Sequence, residues 1–231
     1  MYTFILGALD EEIDGIRAAM QDVKEQKAGA FPVWRGRMGN HELLLCRCGV
    51  GKANAAAATA AVLTAFPQAA RVINTGVAGG VGNVRRGDVV LGVKTVQHDM
   101  DCTPDGLQKG QVPDFDDVFF KADEQLVRDL ENALQQEKIA YCKGIIASGD
   151  RFIASKEEAA RLAREFGATA CEMESAAAAQ VCALFGVPFA ALRAISDDGG
   201  DNAVTSFYEF LHTAAANNAR AVCRLLQGAP R

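Results

Sequence analysis

Three carboxylates stand where apolar runs of this sequence give way to turns or helices, and they are its most informative residues. Glu12 follows the apolar run at 2–9, and Asp197 follows the run at 189–195. Glu174 and its neighbour Glu172 bracket Met173 in an otherwise apolar stretch. A short apolar run bounded by turn residues is typical of a strand buried in a parallel sheet. Open α/β sheets bind ligands at the carboxyl ends of such strands. Carboxylates gathered there could protonate a leaving group and activate water.

Each of these carboxylates also has a purely structural interpretation, which the local sequence leaves open. Asp197 and Asp198 precede two glycines and could form a polar turn. Glu12 is one of three successive acids that could simply complement the dipole of the helix they open. Glu174 could belong to a buried ion pair with Arg193, or Arg193 could hold it ionised so that it binds sugar hydroxyls.

Composition favours one globular domain, residues 1–231, with a large core, since 49% of the 231 residues are apolar. The net charge of −5, with no cluster of basic residues, argues against a nucleic-acid partner. The apolar N-terminal stretch is too short for a signal peptide or a membrane helix, so no membrane partner is expected.

The seven cysteines are odd in number and lie mostly in apolar segments, which favours reduced thiols in a cytoplasmic protein over a disulfide framework. Cys46 and Cys48 share a face of a predicted strand, but there is no second pair and the chain has three histidines. We therefore expect no metal site and no cofactor.

Hydrophobic patterning predicts an α/β chain that begins and ends with a strand–helix unit. The predicted strands cover residues 2–9, 31–39, 41–48, 71–75, 89–96, 140–148 and 189–195. The predicted helices run from 10 to about 21 and over 53–66, 122–136, 156–166, 176–184 and 206–227. The polar segment 97–119 is long for a loop in one domain, and we expect a lid, a binding loop or an oligomer contact there.

Two glycine-rich segments invite nucleotide-binding interpretations that their spacing does not support. The segment at 49–52 lacks the first glycine of a P-loop and the hydroxyl residue after its lysine. The segment at 76–82 leads into a strand, whereas a dinucleotide fingerprint opens a helix. We expect 76–82 to form a loop at the edge of the sheet, whose backbone approaches a ligand.

Six short motifs in order resemble the nucleoside phosphorylase/hydrolase superfamily, and most of all its bacterial 5′-methylthioadenosine/S-adenosylhomocysteine nucleosidase family. They are GALDEE at 7–12, GVGK at 49–52, NTGVAGG at 74–80, SGDRFI at 148–153, CEMES at 171–175 and RAISDD at 193–198. The resemblance spans nearly the whole chain. It implies a three-layer α/β/α fold with a mixed central sheet, a cytoplasmic homodimer and a small-molecule nucleoside as substrate.

The resemblance assigns the chemistry to two carboxylates. Asp197 matches the general acid that protonates N7 of adenine, and Glu12 matches the base that activates the attacking water. Cleavage of an N-glycosidic bond passes through an oxocarbenium-like state. The reaction therefore needs a proton for the leaving purine and an oriented water that attacks the sugar. An acid at position 197 must hold its proton near neutrality, which requires partial desolvation.

The resemblance also assigns the substrate contacts. Glu174 and Met173 match the pair that binds ribose, Phe152 the ring that stacks on the purine, and Ile153 the backbone that reads its edge. Residues that match further positions around the substrate are Ser196 beside the acid, Val77 where relatives usually have Ser, and Leu9, Val50 and Phe207 in an apolar 5′ pocket. Arg193 completes the set as the partner of the ribose carboxylate.

Two features of the sequence bear on the reaction and its substrate. Superfamily phosphorylases carry an arginine for phosphate shortly after the first strand, where this chain has Asp10–Glu12, so water is favoured as nucleophile. Asp105 and Leu107 replace aromatic residues in the loop that closes over the 5′ group. A futalosine-type hydrolase, a purine nucleoside phosphorylase, an inactive nucleoside-binding protein and a generic flavodoxin-like domain remain the alternatives.

Overall fold

A computed structural model describes residues 1–198, 200 and 203–228, and these residues form ten strands and six α-helices. The strands are β1 (Tyr2–Gly7), β2 (Gln21–Ala28), β3 (Phe31–Met38), β4 (His41–Arg47), β5 (Ala69–Gly80), β6 (Val89–Gln97), β7 (Phe120–Lys121), β8 (Tyr141–Ser148), β9 (Ala168–Glu172) and β10 (Phe189–Asp197). The helices are α1 (Asp10–Ala19), α2 (Lys52–Ala65), α3 (Glu124–Gln136), α4 (Lys156–Phe166), α5 (Ser175–Phe185) and α6 (Ala203–Gln227). Within the described ranges, no helix has the length and apolar composition needed to span a bilayer.

The sheet is mixed, as predicted, and part of it closes on itself. Its order is β10-β6-β8-β9-β5-β1-β4-β3-β2, and β10 also pairs with β5. Strands β4, β1, β5 and β10 are parallel neighbours, whereas β9 and β6 pair antiparallel with β5 and β10. The five strands β5, β10, β6, β8 and β9 therefore form a closed ring, and β1, β4, β3 and β2 extend from it as an open sheet.

Helices cover both faces of this sheet, which confirms the predicted three-layer α/β/α architecture. On one face α2 and α5 pack their alanine-rich sides together over β1, β4 and β5. On the other face α1, α3 and α6 bury larger side chains, including Ile13, Leu130 and Val222. Helix α4 packs outside β8 and β9 in a smaller cluster around Leu162 and Phe166. Because helices cover both faces of the sheet, the central strands bury their side chains on both sides, and this explains the continuous apolar runs in the sequence.

The largest departure from the predicted elements concerns the glycine-rich segment. Residues 76–80 were expected to form a loop, but β5 continues through them and ends at Gly80. The glycines are needed for space rather than for a turn. A Cβ atom at Gly76 would lie 1.9 Å from Arg193 Nη1, and one at Gly79 would lie 3.1 Å from Asp197 Oδ1. A strand without side chains at these points lets functional groups lie directly against its backbone.

Strand β2 was not predicted, because its sequence carries no strand signal. It is polar along nearly its whole length and its residues are mostly exposed. Its antiparallel pairing with β3 holds it at the end of the sheet, so tertiary contact rather than local propensity decides its structure. The other predicted elements agree with the observed ones to within a few residues.

Candidate active site

A cavity of about 470 Å³ opens where β1, β5, β9 and β10 end. Its floor carries the carboxylates Glu12, Glu174 and Asp197, together with Glu172. The other lining residues are Ala8, Leu9, Glu11, Val50, Val77, Ala78, Gly79, Arg151, Phe152, Ile153, Cys171, Met173, Val204, Phe207, Tyr208 and Leu211. Several carboxylates in an otherwise mostly apolar cavity are characteristic of an enzyme site that handles protons.

Glu12 is held at the floor by three backbone N–H groups. Its Oε2 accepts from Ala8 (2.8 Å) and Leu9 (3.0 Å), and its Oε1 accepts from Val77 (2.9 Å). The side chain therefore caps the start of α1, as the capping interpretation expects, and it also reaches across to β5 at the cavity floor. Burial raises the pKa of Glu12, while the positive charge of Arg193 and the three N–H donors act in the opposite direction.

Arg193 lies beneath the cavity floor and is completely buried. Its Nη2 donates to Asn74 Oδ1 (2.5 Å), to Ser175 Oγ (3.0 Å) and to Glu172 Oε2. Its Nη1 has no hydrogen-bond partner among the described residues. That nitrogen and Glu12 Oε1 both lie against Gly76, within 2.5 Å of the place a Cβ would occupy. The positive charge of Arg193 therefore lies next to Glu12 beneath the floor, where it favours the ionised form of that carboxyl.

The predicted partnership of Arg193 with Glu174 is looser than expected. Arg193 Nη2 is 3.7 Å from Glu174 Oε2, whereas it hydrogen-bonds Glu172 directly. Glu172 also accepts from Ser148 Oγ, from Ser175 Oγ (3.0 Å) and from the backbone N–H of Glu174 (3.1 Å). Arg193 is therefore paired with Glu172, whose oxygens accept several hydrogen bonds from within the protein. Glu174 accepts fewer, so its oxygens can accept further hydrogen bonds from a ligand.

Glu174 reaches the floor because β9 runs antiparallel to β5. Cys171 is paired with Gly79, so the chain after it turns back along β5, and Ser175 Oγ meets Asn74 there at 3.0 Å. Glu174 Oε1 accepts from the backbone N–H of Gly51 (2.9 Å). Burial and the nearby charge of Glu172 raise the pKa of Glu174 to about 8, against the opposing charge of Arg193.

Asp197 ends β10 and is 2% exposed. Ser196 Oγ lies 2.9 Å from Asp197 Oδ2 and 3.3 Å from the carbonyl oxygen of Ala78. The other carboxylate oxygen, Oδ1, stands over Gly79 next to the thiol of Cys171, which is 3.6 Å from the Gly79 carbonyl. Asp197 is therefore a buried carboxyl fixed on a strand that has partners on both sides, and the polar-turn interpretation accounts for none of this environment.

The open side of the cavity is aromatic and apolar. Phe152 is 45% exposed and meets Phe207 edge to face, with ring centroids 5.8 Å apart. Tyr208 also meets Phe207 edge to face, with ring centroids 5.3 Å apart. Val50 and Val204 are also about half exposed here. We call Val50, Phe152, Val204, Phe207 and Tyr208 the rim, and its flat faces suit a heteroaromatic ring.

All but two of the predicted site residues line the cavity. Those that do are Leu9, Glu12, Val50, Val77, Phe152, Ile153, Met173, Glu174, Asp197 and Phe207. Arg193 and Ser196, predicted as substrate contacts, lie behind the wall, and each bonds to a residue that does line it. Asp105 is exposed, and neither it nor Leu107 lines this cavity.

Some lining residues were not anticipated from the sequence. Val204, Tyr208 and Leu211 join Phe207 on one face of α6, at the spacing of one helical stripe. That stripe was detectable, but the helix was predicted to begin at residue 206, three residues after its observed start at Ala203, so Val204 was left out. Cys171 and Arg151 gave no comparable signal, because a single thiol or a single cation carries no pattern.

The chain is similar over almost its full length to proteins of one family. A sequence model of the phosphorylase superfamily matches residues 3–227. The 5′-methylthioadenosine/S-adenosylhomocysteine nucleosidase of Actinobacillus succinogenes is 41% identical over 224 residues, which cover 96% of each chain. The Neisseria meningitidis nucleosidase of the same name, solved with methylthio-immucillin-A, aligns at a TM-score of 0.94, with 40% identity and 98% of both chains covered.

A second solved structure widens the functional range of close relatives. Futalosine hydrolase from Helicobacter pylori aligns at a TM-score of 0.91 with 33% identity, covering 96% of this chain and 95% of its own. The likeness therefore includes nucleosidases named for different 5′ groups. On the sequence matches and the shared fold, this chain belongs to the phosphorylase superfamily and, within it, to the 5′-methylthioadenosine/S-adenosylhomocysteine nucleosidase family.

Proposed function

We propose that this protein is an N-glycosyl hydrolase that cleaves 5′-methylthioadenosine and S-adenosylhomocysteine to adenine and the 5-thioribose product. The observation that carries the proposal is the meeting of Glu12, Glu174 and Asp197 on one cavity floor in a chain 41% identical to a nucleosidase of that name. The three carboxylates argue against a protein that only binds nucleosides, because pure binding would not need Glu12.

Asp197 is the proposed general acid. In the reaction the bond between C1′ of the ribose and N9 of the adenine breaks, and the electron pair passes to the purine. Asp197 supplies the proton that N7 of the departing base takes up. Its burial and the contact with Ser196 Oγ fix the carboxyl, so the proton is delivered from a defined position.

Glu12 is the proposed general base, acting on a water that lies beside its carboxylate in the cavity. The water oxygen attacks C1′ as positive charge develops on the sugar, and Glu12 takes the proton that the water loses. The three N–H groups on Glu12 keep its carboxylate pointed at β5. Val77 offers no hydroxyl to this water, so the proposal assigns its activation to Glu12 alone.

The remaining lining residues are proposed to bind the rest of the nucleoside. Glu174 accepts hydrogen bonds from the ribose hydroxyls, with Met173 against the sugar. Phe152 stacks on the adenine and the backbone of Ile153 reads its edge. Leu9, Val50 and Phe207 receive the apolar 5′-alkylthio group, and Ser196 and Arg193 hold the carboxyls that touch the substrate.

Hydrolysis is favoured over phosphorolysis by the charges around the cavity. Glu11 and Glu12 line it just after β1, and these carboxylates would repel phosphate. Arg151 is the cation among the described lining residues, and its Nη2 is 2.8 Å from Glu158 Oε1. Because Arg151 is already paired with Glu158, it is a poor phosphate site.

A futalosine-type substrate is the second candidate, and the likeness to the Helicobacter pylori futalosine hydrolase favours it. Asp105 and Leu107 are smaller than the aromatic residues they replace, so a loop that closes with them leaves more room for a large 5′ group.

The protein is further proposed to act as a cytoplasmic homodimer in methionine salvage. The half-exposed apolar rim would be covered if the 97–119 loop of a second copy reached across it. The seven cysteines are all free, as reduced thiols of the cytoplasm would be. Sedimentation of the purified protein tests the dimer.

Adenine release from 5′-methylthioadenosine, S-adenosylhomocysteine and aminofutalosine, first without and then with phosphate, tests the activity. Release without phosphate supports the hydrolase, and the ranking of the three substrates identifies the 5′ group. Release that depends on phosphate would make the protein a phosphorylase and remove the role given to Glu12. No release from any substrate would leave a nucleoside-binding protein.

A further inference from the structure

Lys52 begins α2 just outside the cavity and touches two loops that the proposed reaction needs. Its backbone N–H donates to Asp150 Oδ1 (2.8 Å), one residue after the Gly51 N–H that donates to Glu174. Its Nζ donates to Asp99 Oδ1 (2.5 Å) and to Gln97 Oε1 (3.1 Å). Lys52 does not line the cavity, and its side chain is 16% exposed.

These contacts close into a ring of three residues. Asp99 accepts from Lys52 through one oxygen and from the backbone N–H of Asp150 (3.0 Å) through the other. Asp150 in turn accepts from the backbone N–H of Lys52. We call Lys52, Asp99 and Asp150 the ring. It joins the start of α2, the loop after β6 and the loop after β8, three segments far apart in the sequence.

The surroundings of the ring leave it little freedom to rearrange. His98 is buried against Gly149, where a Cβ would lie 2.3 Å from the imidazole Nε2. Burial lowers the pKa of His98, so this neighbour is neutral and does not replace the Lys52 charge. Gln97 continues the contacts to Gln180 on α5, the helix that begins immediately after Glu174. Gly51 adopts φ +103°, which aims its N–H and that of Lys52 at two different carboxylates.

We infer that Lys52 is a positioning residue that sets the distance between the purine-binding loop and the ribose carboxylate. Asp150 is followed directly by Arg151, Phe152 and Ile153, which form the proposed purine wall. The backbone N–H of Gly51 holds the ribose carboxylate Glu174, and the next N–H, that of Lys52, holds Asp150 at the start of the purine wall. The Lys52 ammonium also fixes the purine wall, because it binds Asp99, which in turn binds the Asp150 N–H. This inference rests on the proposed function, because it assigns Phe152 and Ile153 to the purine.

Substitution of Lys52 by Met keeps the length of the side chain and removes its charge. We expect calorimetric titration to show adenine binding weakened by about ten- to a hundredfold, because small displacements of a binding loop have effects of that size. KM for 5′-methylthioadenosine should rise with it, while kcat changes less, since Glu12 and Asp197 do not contact the ring. Lys143→Met is the matched control, because Lys143 Nζ makes a 2.6 Å contact with Glu131 on the surface, away from the cavity.

A pH profile separates positioning from a general loss of structure. Hydrogen bonds from Lys52 and Asp150 hold the pKa of Asp99 below its usual value despite partial burial. Without Lys52 the Asp99 carboxyl takes up a proton at higher pH, so the acid limb of adenine binding should move to higher pH in K52M, but not in K52M/D99N.

The outcomes are distinct. Adenine binding in K52M that matches K143M and the wild type would overturn the role of Lys52. A wild-type protein that binds no adenine would instead overturn the proposed function. Should K52M fail to fold, Asp99→Asn, which keeps the shape of the ring and removes its negative charge, is expected to give the same rise in KM, and an unchanged KM would overturn the inference.

Discussion

The floor and the rim of the cavity are built in opposite ways. Each floor carboxylate is buried and bonded to backbone N–H groups, a hydroxyl or an arginine, with Glu12 held by three N–H groups. In the rim, Phe152, Phe207 and Tyr208 touch each other through ring edges, and the members other than Phe207 are 45% exposed or more, up to 71% for Tyr208. A fixed floor suits a reaction common to a family, whereas a loosely packed rim can change with the substrate.

The strongest test of the floor is Asp197→Asn. An amide cannot give its proton to N7, so we expect kcat to fall by about 10² to 10⁴ while nucleoside binding is largely kept. Steady-state kinetics and calorimetry measure the two effects. Asp198→Asn is the matched control, since Asp198 is the exposed neighbour. A D197N enzyme with normal turnover would take the acid role away from this residue.

Arg193→Met tests whether the floor depends on charge compensation. It leaves Glu172 buried without its cation, and breaking a buried pair in this way costs about 3–5 kcal/mol in the free energy of unfolding. Arg151→Met, next to Phe152 of the rim, breaks the surface pair with Glu158 and should cost about 0–1 kcal/mol. Denaturant unfolding measures the free energy of unfolding of both variants. Equal losses in the two variants would show that the floor does not depend on charge compensation more than the residues around the rim do.

Glu174→Gln tests the electrostatic strain of the floor. The pKa of Glu174 is about 8 in the folded protein, above the ordinary 4.5, so the folded state holds a proton that the unfolded state releases. Stability is then greatest below the ordinary pKa and falls as the pH rises towards 8. In Glu174→Gln the free energy of unfolding should depend less steeply on pH, by an amount that corresponds to at most about one bound proton. Thermal unfolding between pH 5 and 9 measures it, and an unaltered slope would show that Glu174 is ionised throughout.

Asp105→Phe is aimed at the rim and should have the smallest effect. If the 97–119 loop of a second copy covers the 5′ group, an aromatic side chain should raise the preference for 5′-methylthioadenosine over S-adenosylhomocysteine by about tenfold. The ratio of the two kcat/KM values is the readout. A constant ratio would mean that this loop does not meet the substrate.

The sequence predicted the floor better than its supports. Glu12, Glu174 and Asp197 were identifiable because charged residues interrupt apolar runs, and their motifs resemble a known family. The Glu172–Arg193 pairing was not, because the antiparallel register of β9 against β5 decides which glutamate meets the arginine. The extension of β5 through its glycines escaped prediction for a similar reason, since the atoms that fill those gaps come from residues far along the chain.

The double pairing of β10 has a consequence for how the molecule is made. This strand is inserted between β5 and β6, whose residues precede it by about a hundred positions, and such distant contacts form late and slowly. A chain emerging from the ribosome already contains Glu12 and Glu174 but has neither Asp197 nor α6. The five-stranded closed part of the sheet can form only after β10 has been synthesised, so Asp197, Arg193 and one wall of the cavity take their places together. An incomplete chain would therefore be catalytically silent rather than partly active.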